Sequence, residues 1–235
     1  MKKILFLLAP LFCLNAQVDL DYYLGDTSNY NQSIPTPESI IGHQIGELHV
    51  SHDKLSHYVQ EVSKHSDRVK LVNRGKTYEN RASWLLIITS ESNQLRLEKI
   101  RKNHLELSNS KNRSIDVTNM PVVVYKGYTV HGDEPSGTNA SLLLLYHLLA
   151  SDSEETEDLL QNTIILLDPS MNPDGHQRFS QWANNNKNNV GVGVINMDEG
   201  ARWIIPTSTE KTLRSLYIPK NNKMQFYGEK LITNS

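Results

Sequence analysis

The sequence has little cysteine and no excess of charge of either sign. Cys13 is the single cysteine among 235 residues, so no disulfide can form within one chain, and the fold must rely on its core or on a metal. Lys and Arg number 24, against 26 Asp and Glu. This balance excludes the strongly basic surface typical of proteins that bind nucleic acids. We therefore expect no nucleic-acid partner.

No apolar run reaches the roughly 20 residues that a membrane-spanning helix needs. Residues 4–14 form a short apolar stretch that follows Lys2 and Lys3 and precedes Ala16. This order is typical of a signal peptide, with a buried N-terminal helix as the alternative. We predict that residues 1–16 are a signal peptide. The mature chain would then have no membrane span, and the protein would be secreted or periplasmic.

Residues 17–40 are polar and contain two prolines, which indicates a segment that precedes the core of the domain, here called the lead-in segment. Beyond them, apolar spacing and turn residues predict a series of short elements. These are a helix over 52–65 with Ser51 as its N-cap, strands over 69–72 and 84–89, and a surface helix over 93–107.

The middle of the chain predicts a strand, a helix and a second strand. Residues 121–125 (PVVVY) and 163–167 (TIILL) are wholly apolar or nearly so, as expected of parallel strands buried on both faces. Residues 136–150 between them predict an apolar helix with a right-handed crossover. The connections after the two strands, residues 126–135 and 168–179, would leave the same edge of the sheet and could face one pocket.

The first of these connections contains His131 and Glu134, three positions apart. An imidazole nitrogen and a carboxylate oxygen both suit zinc, and two His with one Glu make a known catalytic zinc set. Alone, this pair is a weak signal, and an exposed pair without function is the alternative. Its place between a buried strand and a helix favours a metal site.

A second motif, Asn-Pro-Asp-Gly at 172–175, follows the second strand. Together with residues 41–53 (IGHQIGELHVSHD), 75–81 (GKTYENR) and 127–137 (GYTVHGDEPSG), it resembles the N-terminal part of the zinc carboxypeptidase family. The likeness is to a large bacterial secreted branch of that family. It implies an α/β fold, here an incomplete zinc-carboxypeptidase-like mixed sheet with flanking helices, whose domain part we place at 41–189.

The same resemblance implies zinc held by His131, Glu134 and a later histidine, with a later glutamate as general base and peptides as substrates. For residues 172–175 two readings stay open, a structural β-turn beside the site or a direct role in catalysis. Arg178 could pair with a carboxylate or lie free on the surface.

The resemblance ends near residue 187, and no histidine follows His176. We find neither the third zinc ligand nor the catalytic glutamate. The earlier histidines are predicted to lie on the surface or to pack within the fold. Residues 190–235 are predicted to be a divergent tail, truncated or frameshifted. We therefore expect an impaired metallocarboxypeptidase that hydrolyses peptides from the C-terminus. The alternative is a non-catalytic remnant of the same fold that binds a peptide or a partner.

Overall fold

The computed structural model describes residues 20–108 and 116–186. The predicted signal peptide (1–16) and divergent tail (190–235) lie outside the described residues. In chain order the elements are α1 Leu20–Leu24, α2 Pro37–Ile41, α3 His52–Val62, β1 Val69–Lys76, β2 Ala82–Ile88, α4 Glu91–Leu95, α5 Leu97–Ser108, β3 Val122–Gly127, α6 Ser136–Ala150, α7 Glu154–Asn162, β4 Thr163–Asp168 and α8 Pro173–Asn185.

The strands form one mixed sheet in the order β1-β2-β4-β3. β1 and β4 both pair with β2 in antiparallel fashion, while β3 and β4 are parallel. The crossover between β3 and β4 contains α6 and α7. An α/β architecture with a mixed sheet and flanking helices is thus confirmed. None of the helices in the described part of the chain is long and apolar enough to cross a membrane.

The core lies between the sheet and the helices, and α6 contributes most to it. Nine of its residues are buried, because the SGTNASLLLLYHLLA sequence is apolar on most of its surface. α6 packs against α1 and α2, and α3 packs against α2 and α8. The side chains of α3 that face this core are Leu55, Tyr58, Val59 and Val62. Ile34, inside the predicted lead-in segment, is also buried in the core.

The prediction that residues 121–125 are buried on both faces is wrong. β3 is exposed along most of its length, and the side chains of Val122 and Tyr125 are 62% and 48% exposed. The reason is the strand order: β4, not β3, lies between two other strands. Within the described residues β3 has a partner on one side only, so its apolar composition does not reflect burial there.

One buried ion pair ties the strands together across the sheet. Asp168, at the end of β4, is 1% exposed and accepts hydrogen bonds from Arg74 on β1 and from the Tyr125 hydroxyl on β3, the latter at 2.9 Å. Burial raises the pKa of the Asp168 carboxyl, and the positive charge of Arg74 opposes that rise. The pair therefore links three strands near the edge at which the candidate site lies.

Candidate metal centre

The connections that follow β3 and β4 leave the sheet side by side. Beyond the last paired residues, Gly127 and Asp168, the amide of Tyr128 donates to the Asp168 carbonyl at 3.0 Å. The amides of Met171 and Asn172 then donate to the carbonyls of Tyr128 and Thr129, at 2.8 and 3.1 Å. The two connections therefore start from one edge of the sheet, as the sequence predicted, and each supports the other.

Thr129 turns the chain out of the sheet and towards α6. Its φ of 51° is unusual for a β-branched residue, and hydrogen bonds of its hydroxyl hold it in place. Oγ1 accepts from the amide of Thr138 at 3.0 Å and bonds to the Thr138 hydroxyl at 2.8 Å. Thr138 Oγ1 in turn donates to the Pro169 carbonyl at 3.0 Å. The first turn of α6 is thus anchored to the ends of both strands.

His131 and Glu134 lie in a tight turn between Thr129 and α6. The Glu134 amide donates to the His131 carbonyl at 3.2 Å, and Pro135 follows at the N-cap position of the helix. Both side chains are exposed, and neither hydrogen-bonds to a residue in the described part of the chain. Their imidazole nitrogens and carboxylate oxygens are therefore available to a ligand.

This turn rests on the start of α8. A Cβ built on Gly132 would lie 2.5 Å from both the Cα and the carbonyl oxygen of Gly175. That is closer than real Cβ atoms come, so only glycine fits at position 132 without movement of one backbone or the other. The packing of these two glycines sets the height of the His131 turn above α8.

Residues 172–175 begin helix α8 and do not form the β-turn that one reading of the sequence favoured. Asn172 is fully buried, and its side chain accepts from the Gly175 amide at 2.9 Å. Pro173 follows in the first turn of the helix. Asparagine at the N-cap and proline next to it are common where helices begin. The structural role of these residues is therefore that of a helix N-terminus.

Asp174 joins this helix start to the connection between β1 and β2. Its carboxylate accepts from the Thr77 hydroxyl at 2.7 Å, from the Arg81 guanidinium at 2.8 Å and from the Glu79 amide at 3.4 Å. Arg178, one turn further along α8, forms an ion pair with the Glu79 carboxylate. The sequence singled out the motifs at 75–81 and 172–175 but did not predict their contact. No local pattern links Arg81 to Asp174, because the two residues are 93 positions apart.

Residues 55–203 match the sequence profile of the Peptidase_M14 family, zinc carboxypeptidase, and this range covers more than half of the chain. The chain belongs to the zinc carboxypeptidase family.

Many solved structures are distantly similar to this chain, and two of them illustrate the likeness. The first is carboxypeptidase A from Helicoverpa armigera, with 21% identity and a TM-score of 0.41, covering 60% of this chain and 31% of that one. The second is thrombin activatable fibrinolysis inhibitor, with 12% identity and a TM-score of 0.40, covering 64% and 31%. This chain thus spans about a third of the length of either structure. A search of curated protein sequences gave no match.

A zinc carboxypeptidase needs more than two protein ligands for its metal. His176 cannot be the third ligand, because its ring nitrogens are bonded within the fold. It is fully buried, with Nε2 2.6 Å from the Val50 carbonyl and Nδ1 3.3 Å from the Ser170 hydroxyl. The carbonyl can only accept, so Nε2 carries the proton and Nδ1 accepts from Ser170. Burial lowers the pKa of His176 to about 4. Both nitrogens are therefore engaged by the protein.

Other histidines of the described region are also bonded within the fold. The partners of four of them are backbone carbonyls: Gln44 for His43, Ala82 for His52, Glu61 for His65 and Pro121 for His104. His147 bonds to the Tyr30 hydroxyl. Across residues 20–108 and 116–186, no three His, Cys, Asp or Glu side chains are grouped so that they could hold a metal ion. The donors at His131 and Glu134 fit zinc in kind, but they number two.

Proposed function

We propose that this chain is the N-terminal part of a zinc metallocarboxypeptidase, with His131 and Glu134 as two of its metal ligands. The observation that carries the proposal is the position of this pair. Both side chains are exposed at the carboxyl edge of parallel strands β3 and β4, without partners among the described residues, in a domain of the zinc carboxypeptidase family. That edge is where open α/β sheets bind their ligands.

In this proposal each residue of the turn has a defined task. His131 would bind the metal through an imidazole nitrogen and Glu134 through its carboxylate. Gly132 lets the turn sit close to α8, and the first turn of α6 fixes its far end. When bound, zinc would acidify a water molecule and polarise the carbonyl of a peptide bond. Substrates would be peptides with a free C-terminus, cut outside the cytoplasm after export directed by residues 1–16.

We also propose that hydrolysis by this 235-residue chain is impaired. Each missing metal–ligand bond lowers the affinity for zinc, and two protein donors are available in the described region. A general base is also needed, because a proton must pass from the attacking water to the leaving amine. In this proposal no residue of the chain is assigned as the third ligand or as the catalytic glutamate, and the divergent tail expected at 190–235 would begin only after residue 203, where the family match ends.

A second candidate function is binding without hydrolysis. It is favoured by the lack of a three-donor group among residues 20–108 and 116–186. The β3–α6–β4 unit and the exposed surface of the His131 turn would then hold a peptide or a protein partner without metal chemistry. This candidate needs the backbone of the site but not the imidazole of His131.

Zinc titration of the metal-free chain separates these proposals. We expect weak binding of one zinc ion that is lost in His131→Ala and retained in His57→Ala, a variant at an exposed position on α3. A test peptide should be hydrolysed slowly or not at all. Zinc binding that is unchanged in His131→Ala would contradict the assigned ligands. Peptide binding without zinc, equal in both variants, would favour the second candidate.

A further inference from the structure

The carboxylate of Asp174 is the centre of a polar cluster below the candidate metal turn. We use "Asp174 cluster" for Asp174 together with Thr77, Glu79 and Arg81. Asp174 is 7% exposed and its carboxylate accepts three hydrogen bonds, the one from Arg81 being also an ion pair. Arg81 also pairs with Glu79 at 2.5 Å. The connection between β1 and β2 is thereby fastened to the first turn of α8.

The first turn of α8 in turn supports the His131 turn at two points. Gly175, the neighbour of Asp174, lies against Gly132. Asn172, two positions before Asp174, donates from its amide to the Thr129 carbonyl at 3.1 Å. A shift of residues 172–175 would therefore act on the backbone on both sides of His131, through the hydrogen bond to Thr129 and the close packing against Gly132.

We propose that Asp174 is a positioning residue for the metal turn: the Asp174 cluster fixes the start of α8, and α8 fixes the turn that carries His131 and Glu134. Asp174 touches neither residue, so its effect passes through the backbone of Asn172 and Gly175. The metal-binding part of this inference rests on the proposed function. The mechanical part, from Asp174 to the turn, does not.

Amide hydrogen exchange on the metal-free full chain tests the mechanical part. Asp174→Asn removes the charge while keeping the size of the side chain. We expect the amides of Met171 and Asn172, which bond to the chain before His131, to exchange about tenfold faster or more, the effect of losing a charged hydrogen bond. The amides of Leu71 and Leu86 in the β1–β2 ladder should keep their rates. Arg81→Lys, which retains the charge but not the planar group, should show a smaller change.

Glu98→Gln is the matched control, since it removes a carboxylate that pairs with Arg101 at 2.6 Å on the exposed face of α5. It should leave all four amides unchanged. An equal rise at all sites in Asp174→Asn would show a general loss of stability and overturn the proposal, as would no rise at Met171 and Asn172. If Asp174→Asn does not fold, Arg81→Lys tests the proposal in its place. Exchange should then rise at Met171 and Asn172 but not at Leu71 and Leu86.

The metal-binding part is read from the visible spectrum and affinity of cobalt(II). We expect Asp174→Asn to bind cobalt about tenfold more weakly and with a changed spectrum, and Arg81→Lys to recover part of both. Cobalt binding identical to that of the unmodified chain would overturn this part. If the unmodified chain binds no cobalt or zinc, the proposed function fails, and the exchange rates still decide whether Asp174 positions the turn.

Discussion

Gly132 and Gly175 lie backbone against backbone, so that a Cβ added to Gly132 would stand 2.5 Å from the Gly175 carbonyl oxygen. Gly132 lies between the two candidate metal ligands, His131 and Glu134. Gly175 lies in the first turn of α8. Their contact makes the metal turn and the helix a single packed unit.

Replacing Gly132 with alanine should therefore disturb the site more than a methyl group usually does. Overpacking of a closed contact costs about 1–3 kcal/mol of unfolding free energy, and relief of the clash would move the His131 turn away from α8. Urea unfolding and zinc titration of Gly132→Ala measure the two effects. Ser136→Ala, at an exposed position two residues after Glu134, should change stability by less than about 0.5 kcal/mol. Equal behaviour of the two variants would contradict the close contact.

Local patterns in the sequence were enough to predict the elements around the site. The apolar run and flanking residues placed the helix at 136–150, where α6 lies. The strand predicted at 163–167 is β4, longer by one residue. The predicted helix at 93–107 is instead two helices, α4 and α5, with Arg96 at the C-cap between them. The candidate ligands themselves came from their spacing together with the family resemblance.

What could not be predicted depends on contacts between distant parts of the chain. The pairing of Ile88 with Ile165 puts β4 between β2 and β3, and no local signal shows which of two apolar runs will be internal. Likewise, Asn-Pro-Asp-Gly suits both a turn and a helix start, because the same side chains satisfy exposed amides in both. The hydrogen bond from the His176 amide to the Asn172 carbonyl, at 2.9 Å, identifies the helix start, while the contact of Asp174 with Arg81 exists only in the folded chain.

Stability should fall as the pH is lowered because of His176. Its pKa is lowered to about 4 in the folded chain, against about 6.5 when unfolded, so the unfolded state binds the extra proton first. The stabilisation is complete above pH 6.5 and is lost as the pH falls to about 4, by about 3 kcal/mol in all. The pKa of His52 is also lowered by burial and acts in the same direction.

The pH dependence of the urea midpoint between pH 7.5 and 4 measures this loss. His176→Gln keeps one donor and one acceptor but does not titrate, so its midpoint should depend less steeply on pH than that of the unmodified chain. The difference between the two slopes isolates His176 from the carboxyl groups that titrate in the same range. Parallel slopes would show that His176 is not buried in its neutral form.

Arg74→Met should be among the most damaging single changes at neutral pH. It leaves the carboxylate of Asp168 buried without its positive partner, a loss that typically costs about 3–5 kcal/mol. Burial already raises the pKa of Asp168, and without Arg74 it rises further. Stability of the variant is thus retained below pH 4, where the carboxyl is protonated in both states, and is lost as the pH rises.

Thermal unfolding of Arg74→Met at pH 4 and pH 7 tests this sign. The double variant Arg74→Met/Asp168→Asn should be more stable than the single one at pH 7, because it removes the unpaired charge. A double variant that is less stable than Arg74→Met at pH 7 would contradict the unpaired charge of Asp168 as the cause of the loss.

Val122→Lys should reduce self-association of the purified chain. Val122 is 62% exposed on β3, which is an outer strand of the sheet that residues 20–108 and 116–186 form, and a lysine on an exposed edge strand disfavours pairing with another chain. Light scattering as a function of protein concentration measures the effect. Leu159→Lys, at a 44% exposed position on α7, adds the same charge away from the sheet and should have a smaller effect. Equal effects would point to net charge rather than to the strand edge.

The order β1-β2-β4-β3 also has a consequence for synthesis on the ribosome. The strand that joins β2 to β3 is β4, the last of the four to be made. Until Asp168 has left the exit tunnel, β3 has no partner among these strands and the free side of β2 stays open. The pairing of β4 with β2 also has to close the long chain segment between these two strands, which slows it. Unpaired strand edges favour association with other chains, so the interval before β4 emerges is when the nascent chain is most exposed to aggregation.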